Sequence, residues 1–192
     1  MALKESTMLA LGTAMPDFSL PDVRTQSDIS PKTFQGKRAL LVMFICRHCP
    51  YVVHVQDELT KLERDYQDKN LGILGVSSND VGGYPQDAPS RLKEMAHQLG
   101  WQFPYCYDES QVVAKAFTAA CTPDFFVFDQ ERRLVYRGQL DDSRPGNGKL
   151  VNGRDLRMAL DVVLIGKDVA NQQRPSAGCN IKWKPGNEPE YA

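Results

Sequence analysis

One segment limits the folds open to this chain more than any other: an apolar run that leads directly into two closely spaced cysteines. The run is Ala39–Ile45, and its length and lack of polar residues are typical of a strand buried on both faces. Cys46-Arg47-His48-Cys49-Pro50 follows at once. Apolar residues then recur at helical spacing, at Val52, Val55, Leu59, Leu62 and Tyr66. Since proline is tolerated in the first turn of a helix, the pattern places both cysteines at a strand-to-helix junction.

Strand-like and helix-like segments alternate along the rest of the chain. Strands are predicted at 71–76, 103–107, 125–128 and 134–136, and helices at 92–99, 112–117 and 156–164. This order predicts an α/β fold with a central mixed sheet flanked by helices, with a hairpin around Pro21 and a β-α insertion. We assign residues 1–166 to a single domain and residues 167–192 to a C-terminal tail that packs on it.

The net charge, the N-terminal sequence and the number of cysteines limit the possible functions and the cellular location of the protein. The formal net charge is −1, so no strong field draws the chain to nucleic acid or to an anionic membrane. The N-terminus lacks the long apolar stretch of a signal peptide, and we therefore expect a cytoplasmic protein. The five cysteines are an odd number, which argues against a simple disulfide framework. In a reducing compartment, a close pair of cysteines is typical of catalysis or metal binding.

The cysteine pair predicts thiol–disulfide chemistry. A thiolate attacks a disulfide, so the thiol must be activated near neutral pH. The helix N-terminus and the charges of Arg47 and His48 favour the thiolate. We expect Cys46 to be the more exposed nucleophile of low pKa, and Cys49 to resolve the mixed disulfide. The substrate would be a protein or a small-molecule thiol or disulfide, with a cellular thiol as reductant and no cofactor.

Metal binding is the alternative use of such a pair. Structural zinc usually needs four ligands, commonly from two such pairs, and this chain has no second pair at that spacing. His48 and His54 are the residues that could complete a site. We expect no metal here.

Several segments together resemble the thioredoxin superfamily, and within it the redoxin branch of alkyl hydroperoxide reductase and thiol-specific antioxidant proteins. They are PDFSL, FICRHCPYVVHVQDEL, SSNDVGGYPQDAP, FPYCYDESQVVAKAF, ACTPDFFVFD, YRGQLDDSRPGNG and GCNIKWKPG. The resemblance implies a thioredoxin-like fold and a cis peptide bond at Thr122-Pro123, packed against the cysteine pair. It also implies that the Thr122 backbone offers hydrogen bonds to an extended substrate peptide beside Cys46.

The chain departs from the peroxiredoxins within that branch. They carry a hydroxyl residue three positions before the peroxidatic cysteine and a proline four positions before that. Counting back from Cys46 gives Met43 and Ala39, and counting back from Cys49 gives Cys46 and Val42. A thiol-dependent peroxidase is therefore an alternative rather than the leading function. Copper delivery is a second alternative, although relatives with that function usually have three residues between their cysteines.

Three further cysteines lie outside the motif. Cys106 falls in a predicted strand and is expected to be a core residue. Cys121 precedes the presumed cis-proline by two positions, and Cys179 lies in the polar tail. The tail could fold back, so that Cys179 pairs with Cys121 or exchanges with the Cys46–Cys49 pair.

Overall fold

The computed structural model describes residues 3–192, which form ten strands and four α-helices. The strands are β1 (Leu3–Glu5), β2 (Leu20–Pro21), β3 (Asp28–Ile29), β4 (Ala39–Phe44), β5 (Leu71–Ser77), β6 (Tyr105–Tyr107), β7 (Cys121–Thr122), β8 (Asp124–Phe128), β9 (Leu134–Gly138) and β10 (Ala177–Asn180). The α-helices are α1 (Pro50–Tyr66), α2 (Pro89–Leu99), α3 (Val112–Ala116) and α4 (Arg154–Leu164). Short 3-10 helices cover Pro31–Phe34 and Pro85–Asp87.

The central sheet has five strands in the order β6-β5-β4-β8-β9. β4 is parallel to β5, and β5 is parallel to β6, whereas β8 is antiparallel to both β4 and β9. Every residue of the middle strand β4 is buried, because helices and loops cover both faces of the sheet. The predicted mixed sheet and its buried strand are confirmed.

The alternating side chains of β4 separate two layers of core. Leu41 and Met43 join the layer that holds the inner faces of α1, α2 and α4. Leu40, Val42 and Phe44 join the opposite layer, with the hairpin and α3. The helical stripe predicted for α1 is its buried face. The strand and the helix are thus fixed on each other by packing, and the loop between them has little freedom.

The two ends of the chain meet in a second, smaller sheet. β10 lies between β1 and β7 and is antiparallel to both. Both chain ends thus contribute a strand, including the segment at 167–192 that the sequence predicts only as a tail. The division into a domain and a tail stays a prediction.

The N-terminal hairpin is present, but it extends further than expected. Its strands are β2 and β3, so the turn lies after Pro21 and includes Val23. Asp28–Ile29 falls in a stretch that reads as a loop, because two residues are too few to show a pattern. Among residues 3–192, no helix is long and apolar enough to cross a membrane.

Candidate active site

Both cysteines of the motif lie at the junction of β4 and α1. Cys49 caps α1, its carbonyl accepting the N–H groups of Val52 and Val53 at 3.0 Å, and Pro50 occupies the first turn. Cys46 is 1% exposed and Cys49 is 0% exposed. The expected exposure of Cys46 is not found in this structure, since both cysteines are buried in the core layer under α1.

Thr122 contacts both sulfur atoms. Its hydroxyl lies 3.5 Å from the Cys46 Sγ, and its carbonyl oxygen accepts a hydrogen bond from the Cys49 thiol at 3.2 Å. The two cysteine side chains are also hydrogen-bonded to each other. The Thr122-Pro123 peptide bond is cis, as the resemblance implies. Thr122, which precedes the cis-proline, thus holds the far side of the pair.

The tail contributes a third sulfur to this cluster. Cys179 pairs with Thr122 across β10 and β7, is 4% exposed, and its thiol is hydrogen-bonded to the Cys49 side chain. Two expectations change as a result. The Thr122 backbone is not open to a substrate peptide, because β10 is already hydrogen-bonded along it. Cys121 lies opposite Asn180, so Cys179 does not face it.

The alternation of side chains along a strand explains why these two cysteines are separated. Thr122 turns its hydroxyl toward Cys46, so its neighbour Cys121 points to the other face of β7. The Cys121 thiol donates instead to the Pro123 carbonyl oxygen at 3.6 Å. Cys179 lies directly opposite Thr122 and therefore shares its face. The structure favours contact of Cys179 with Cys49, not with Cys121.

The electrostatics of the pair are opposite to the sequence prediction. Hydrogen bonds from the Cys179 and Cys46 thiols lower the pKa of Cys49, and they outweigh the effect of burial. Burial raises the pKa of Cys46 well above its usual value, and the contact with Cys49 and the negative charge of Asp87 raise it further. The prediction of a low pKa at Cys46 is therefore wrong, and Cys49 is the cysteine of the pair whose pKa is lowered.

Asp87 organises the loop between the cysteines. One carboxylate oxygen accepts the backbone N–H groups of Arg47 and His48 at 2.8 and 3.1 Å. The other accepts the His48 Nδ1–H at 2.5 Å and the Asn79 amide at 2.8 Å. Burial alone would raise the pKa of Asp87, but the hydrogen bonds from His48, Asn79 and Arg47 lower it. The sequence pointed to this segment but not to this carboxylate.

The His48 ring is held by two contacts. Its ring stacks on Tyr84, with centroids 5.1 Å apart, and its Nδ1 is bonded to Asp87. Its Nε2 is buried without a hydrogen-bond partner among residues 3–192. Ligand atoms of Cys46, His48 and Asp87 lie within 4.8 Å of one another. Thiolate, imidazole and carboxylate are all zinc ligands, so this trio is where a metal could be held.

Arg47, Cys121 and Cys106 are the other residues that the sequence analysis considered. Arg47 contacts Asp87 through its backbone N–H, and the effect of its charge on Cys46 stays a prediction. Burial raises the pKa of Cys121, with a contribution from the charge of Asp124. Cys106 is buried in β6 on the opposite core layer, where burial raises its pKa to about 12. It is a core residue, as expected.

The fold and the cysteine junction define a protein of the thioredoxin-like class. A model of the Redoxin family matches residues 10–152, and the chain belongs to that family. Membership supports a thioredoxin-like redox function in general terms. A comparison with curated proteins finds no match.

Solved structures agree with this assignment. An uncharacterized conserved protein from Geobacillus kaustophilus is 49% identical, with a TM-score of 0.94 over 97% of this chain and 98% of that one. A hypothetical protein from Sinorhizobium meliloti is also 49% identical, with a TM-score of 0.93 over 95% and 99%. The thioredoxin domain of a thiol-disulfide oxidoreductase from Bacteroides vulgatus is 19% identical, with a TM-score of 0.59 over 79% and 99%. The last of these supports the fold alone.

Proposed function

We propose that the protein is a thiol–disulfide oxidoreductase whose redox pair is Cys46 and Cys49. The observation that carries the proposal is the hydrogen bond between the two cysteine side chains at the start of α1. Two sulfurs in contact need little movement to form a disulfide, and the helix N-terminus favours a thiolate there.

Cys46 is the sulfur that exchanges with substrate in this proposal. It borders Arg47 and His48, whose side chains are partly exposed, whereas Cys49 is enclosed by Thr122, Cys46 and Cys179. Cys46 attacks a substrate disulfide as its thiolate, and the substrate thiolate that leaves takes up the proton that Cys46 has lost. Cys49 then attacks the mixed disulfide as a thiolate, a Cys46–Cys49 bond forms, and the reduced substrate leaves. The substrate is a protein or small-molecule disulfide, and a cellular thiol returns the pair to its reduced form.

A redox titration tests the pair itself. Protein is equilibrated in glutathione buffers of stepped potential, free thiols are trapped in acid, and linked cysteines are mapped. We expect a Cys46–Cys49 disulfide with a midpoint between about −270 and −120 mV. Cys106→Ser is the matched control and should titrate like the wild type. A pair that never links, or links only after a bound metal is stripped, would contradict the proposal and favour the Cys46, His48 and Asp87 metal site.

Mixed-disulfide trapping tests the two roles. Cys49→Ser should accumulate glutathione on Cys46, because no second thiol of the motif can release it. Cys46→Ser should capture much less glutathione at Cys49, which is enclosed. The reverse pattern would assign substrate exchange to Cys49 instead.

A thiol peroxidase is the second candidate, and one contact favours it. The Thr122 hydroxyl lies 3.5 Å from the Cys46 Sγ, where it could orient a peroxide although β4 supplies no hydroxyl. Consumption of hydrogen peroxide with a thiol reductant decides this. A peroxidase must outpace its Cys46→Ser variant, whereas a dedicated oxidoreductase should consume peroxide no faster than that variant.

A further inference from the structure

Strand β10 occupies the edge of β7 that faces the cysteine pair. Cys179 pairs with Thr122 and Asn180 with Cys121, in antiparallel register. On one side of this pairing the Ser176 hydroxyl donates to the Pro123 carbonyl oxygen at 2.6 Å, and on the other the Ile181 N–H donates to Ala120 at 3.2 Å. The chain's own C-terminal segment thus lies as an extended peptide beside the redox motif.

Gly178 permits this close approach. A Cβ added there would lie 2.0 Å from the Thr122 carbonyl oxygen and 3.3 Å from the Pro123 ring. A side chain at this position would push β10 away from β7, because the atoms that it would meet first are Thr122 backbone and not the end of a flexible side chain. The next residue is Cys179, and the docking therefore sets where its sulfur lies.

Three sulfurs are brought together by this docking. The Cys49 side chain is hydrogen-bonded both to Cys46 and to Cys179, and all three residues belong to the same core layer. Cys179 is 4% exposed, so a dissolved thiol has little access to it while β10 is docked. The contact that is available to Cys179 is with Cys49.

We propose that Cys179 is a third redox-active cysteine, which exchanges with the Cys46–Cys49 disulfide by bonding to the Cys49 sulfur. The proposal rests on the oxidoreductase function proposed above and assigns a second disulfide to the same site.

The exchange is an isomerisation that conserves electrons. The Cys179 thiolate attacks the Cys49 Sγ, and a Cys49–Cys179 bond forms as the Cys46–Cys49 bond breaks. The electron pair leaves with Cys46, which takes the proton that Cys179 gave up. One disulfide and one thiol are present before and after, so no additional oxidant is needed. Cys46 is returned to its thiol form, and the oxidising equivalent moves to the tail.

The electrostatics change in the direction that the exchange needs. In the reduced cluster, the hydrogen bond to Cys49 and then burial raise the pKa of Cys179, while Lys182 lowers it. Formation of the Cys46–Cys49 disulfide removes the ionisable Cys49 group, and with it the largest cause of that rise. Lys182 remains, and the Cys179 thiolate becomes easier to form once the pair is oxidised.

The sequence is well suited to a direct test, because trypsin cleaves between the two cysteines of the motif at Arg47. Cys46, Cys49 and Cys179 therefore fall on three different tryptic peptides, and each disulfide gives a distinct linked pair. The full-length protein is oxidised with oxidised glutathione, quenched in acid, alkylated and digested without reduction. The fractions of Cys46–Cys49 and Cys49–Cys179 links are then measured.

We expect both links in the oxidised wild type and in Cys106→Ser. Cys179→Ser should retain only Cys46–Cys49, and Cys46→Ser should form the Cys49–Cys179 link much more slowly than the wild type, because oxidised glutathione must then reach an enclosed sulfur. A wild type that forms Cys46–Cys49 but no Cys49–Cys179 overturns this inference and leaves the proposed function intact. A protein that forms neither link overturns both.

A variant of Gly178 tests whether docking is the cause. Gly178→Ala leaves all five cysteines in place but should separate β10 from β7, lowering the Cys49–Cys179 link by about ten-fold. The Cys46–Cys49 link should persist in this variant. An unchanged Cys49–Cys179 link in Gly178→Ala would show that the disulfide forms without the docked strand and would overturn the mechanism.

Discussion

Asp87 and Asp124 are both fully buried, yet their pKa values move in opposite directions. Asp87 accepts four hydrogen bonds around the loop of the motif, one of them from the His48 ring, and these outweigh its burial. Asp124 directly follows Pro123, and burial raises its pKa to about 7 despite bonds from Ser6 and backbone N–H groups. A buried carboxylate is therefore stabilised or destabilised as an anion by the donors around it, not by depth alone.

Each carboxylate also acts on the cysteine nearest to it. The charge of Asp87 raises the pKa of Cys46, and the charge of Asp124 raises that of Cys121. Neither carboxylate is among the main influences on the pKa of Cys49, which hydrogen bonds from neighbouring thiols lower. The two acids thus disfavour the thiolate at Cys46 and at Cys121, whereas hydrogen bonds from neighbouring thiols lower the pKa of Cys49.

Removing the Asp87 carboxylate should have the largest effect. We expect Asp87→Ala to lower the free energy of unfolding of the reduced protein by about 3 kcal/mol, since buried donors of Arg47, His48 and Asn79 lose their acceptor. Because the pKa of Asp87 is depressed, this contribution is present above the usual carboxyl pKa and is lost as the pH falls through the depressed value. Urea denaturation at pH 7 and at acid pH measures it.

The exposed Asp57 on α1 provides the control for that experiment. Asp57→Ala should change the free energy of unfolding by no more than about 0.5 kcal/mol. Equal losses in the two variants would mean that the Asp87 network contributes nothing beyond an ordinary surface carboxylate.

Asp124 should show the opposite pH dependence. Its folded pKa is raised from 3.8 to about 7, so its favourable contribution is complete below the usual carboxyl pKa and is lost as the pH rises to about 7. Between pH 5 and pH 8, the free energy of unfolding of the wild type should fall by roughly 2–3 kcal/mol relative to Asp124→Asn. Denaturation of both proteins at the two pH values measures this. A gap between them that does not change with pH would contradict the raised pKa.

The sequence could predict elements whose signal lies within one segment, but not contacts between segments that are far apart in the chain. β4 and α1 were predictable because a continuous apolar run and a helical stripe are patterns within one segment. Asp87 was not, because its contacts to the motif span about forty positions of the chain and its segment reads as a loop. β10 is a four-residue strand whose only signal is its pairing with β1 and β7. Burial and the charge of Asp87 raise the pKa of Cys46, and Asp87 is distant from the motif in sequence, so the position of the motif was predictable and its electrostatics were not.

The smallest effect should come from Ser6, which links the two chain ends to Asp124. The Ser6 hydroxyl donates to Asp124 at 2.6 Å and accepts the Ser176 N–H at 3.0 Å. Ser6→Ala should raise the pKa of Asp124 further and cost about 1–2 kcal/mol of unfolding free energy at pH 8. At pH 5 the cost should be about half as large, because a hydrogen bond to a neutral carboxyl is weaker than one to an anion.

The neighbouring residue Thr7 provides the control. Thr7→Ala removes an exposed hydrogen bond to Thr118, and its small effect on the free energy of unfolding should not depend on pH. If Ser6→Ala behaves like Thr7→Ala at both pH values, the Ser6 hydroxyl does not stabilise the Asp124 anion, and backbone N–H groups are the donors that remain to do so.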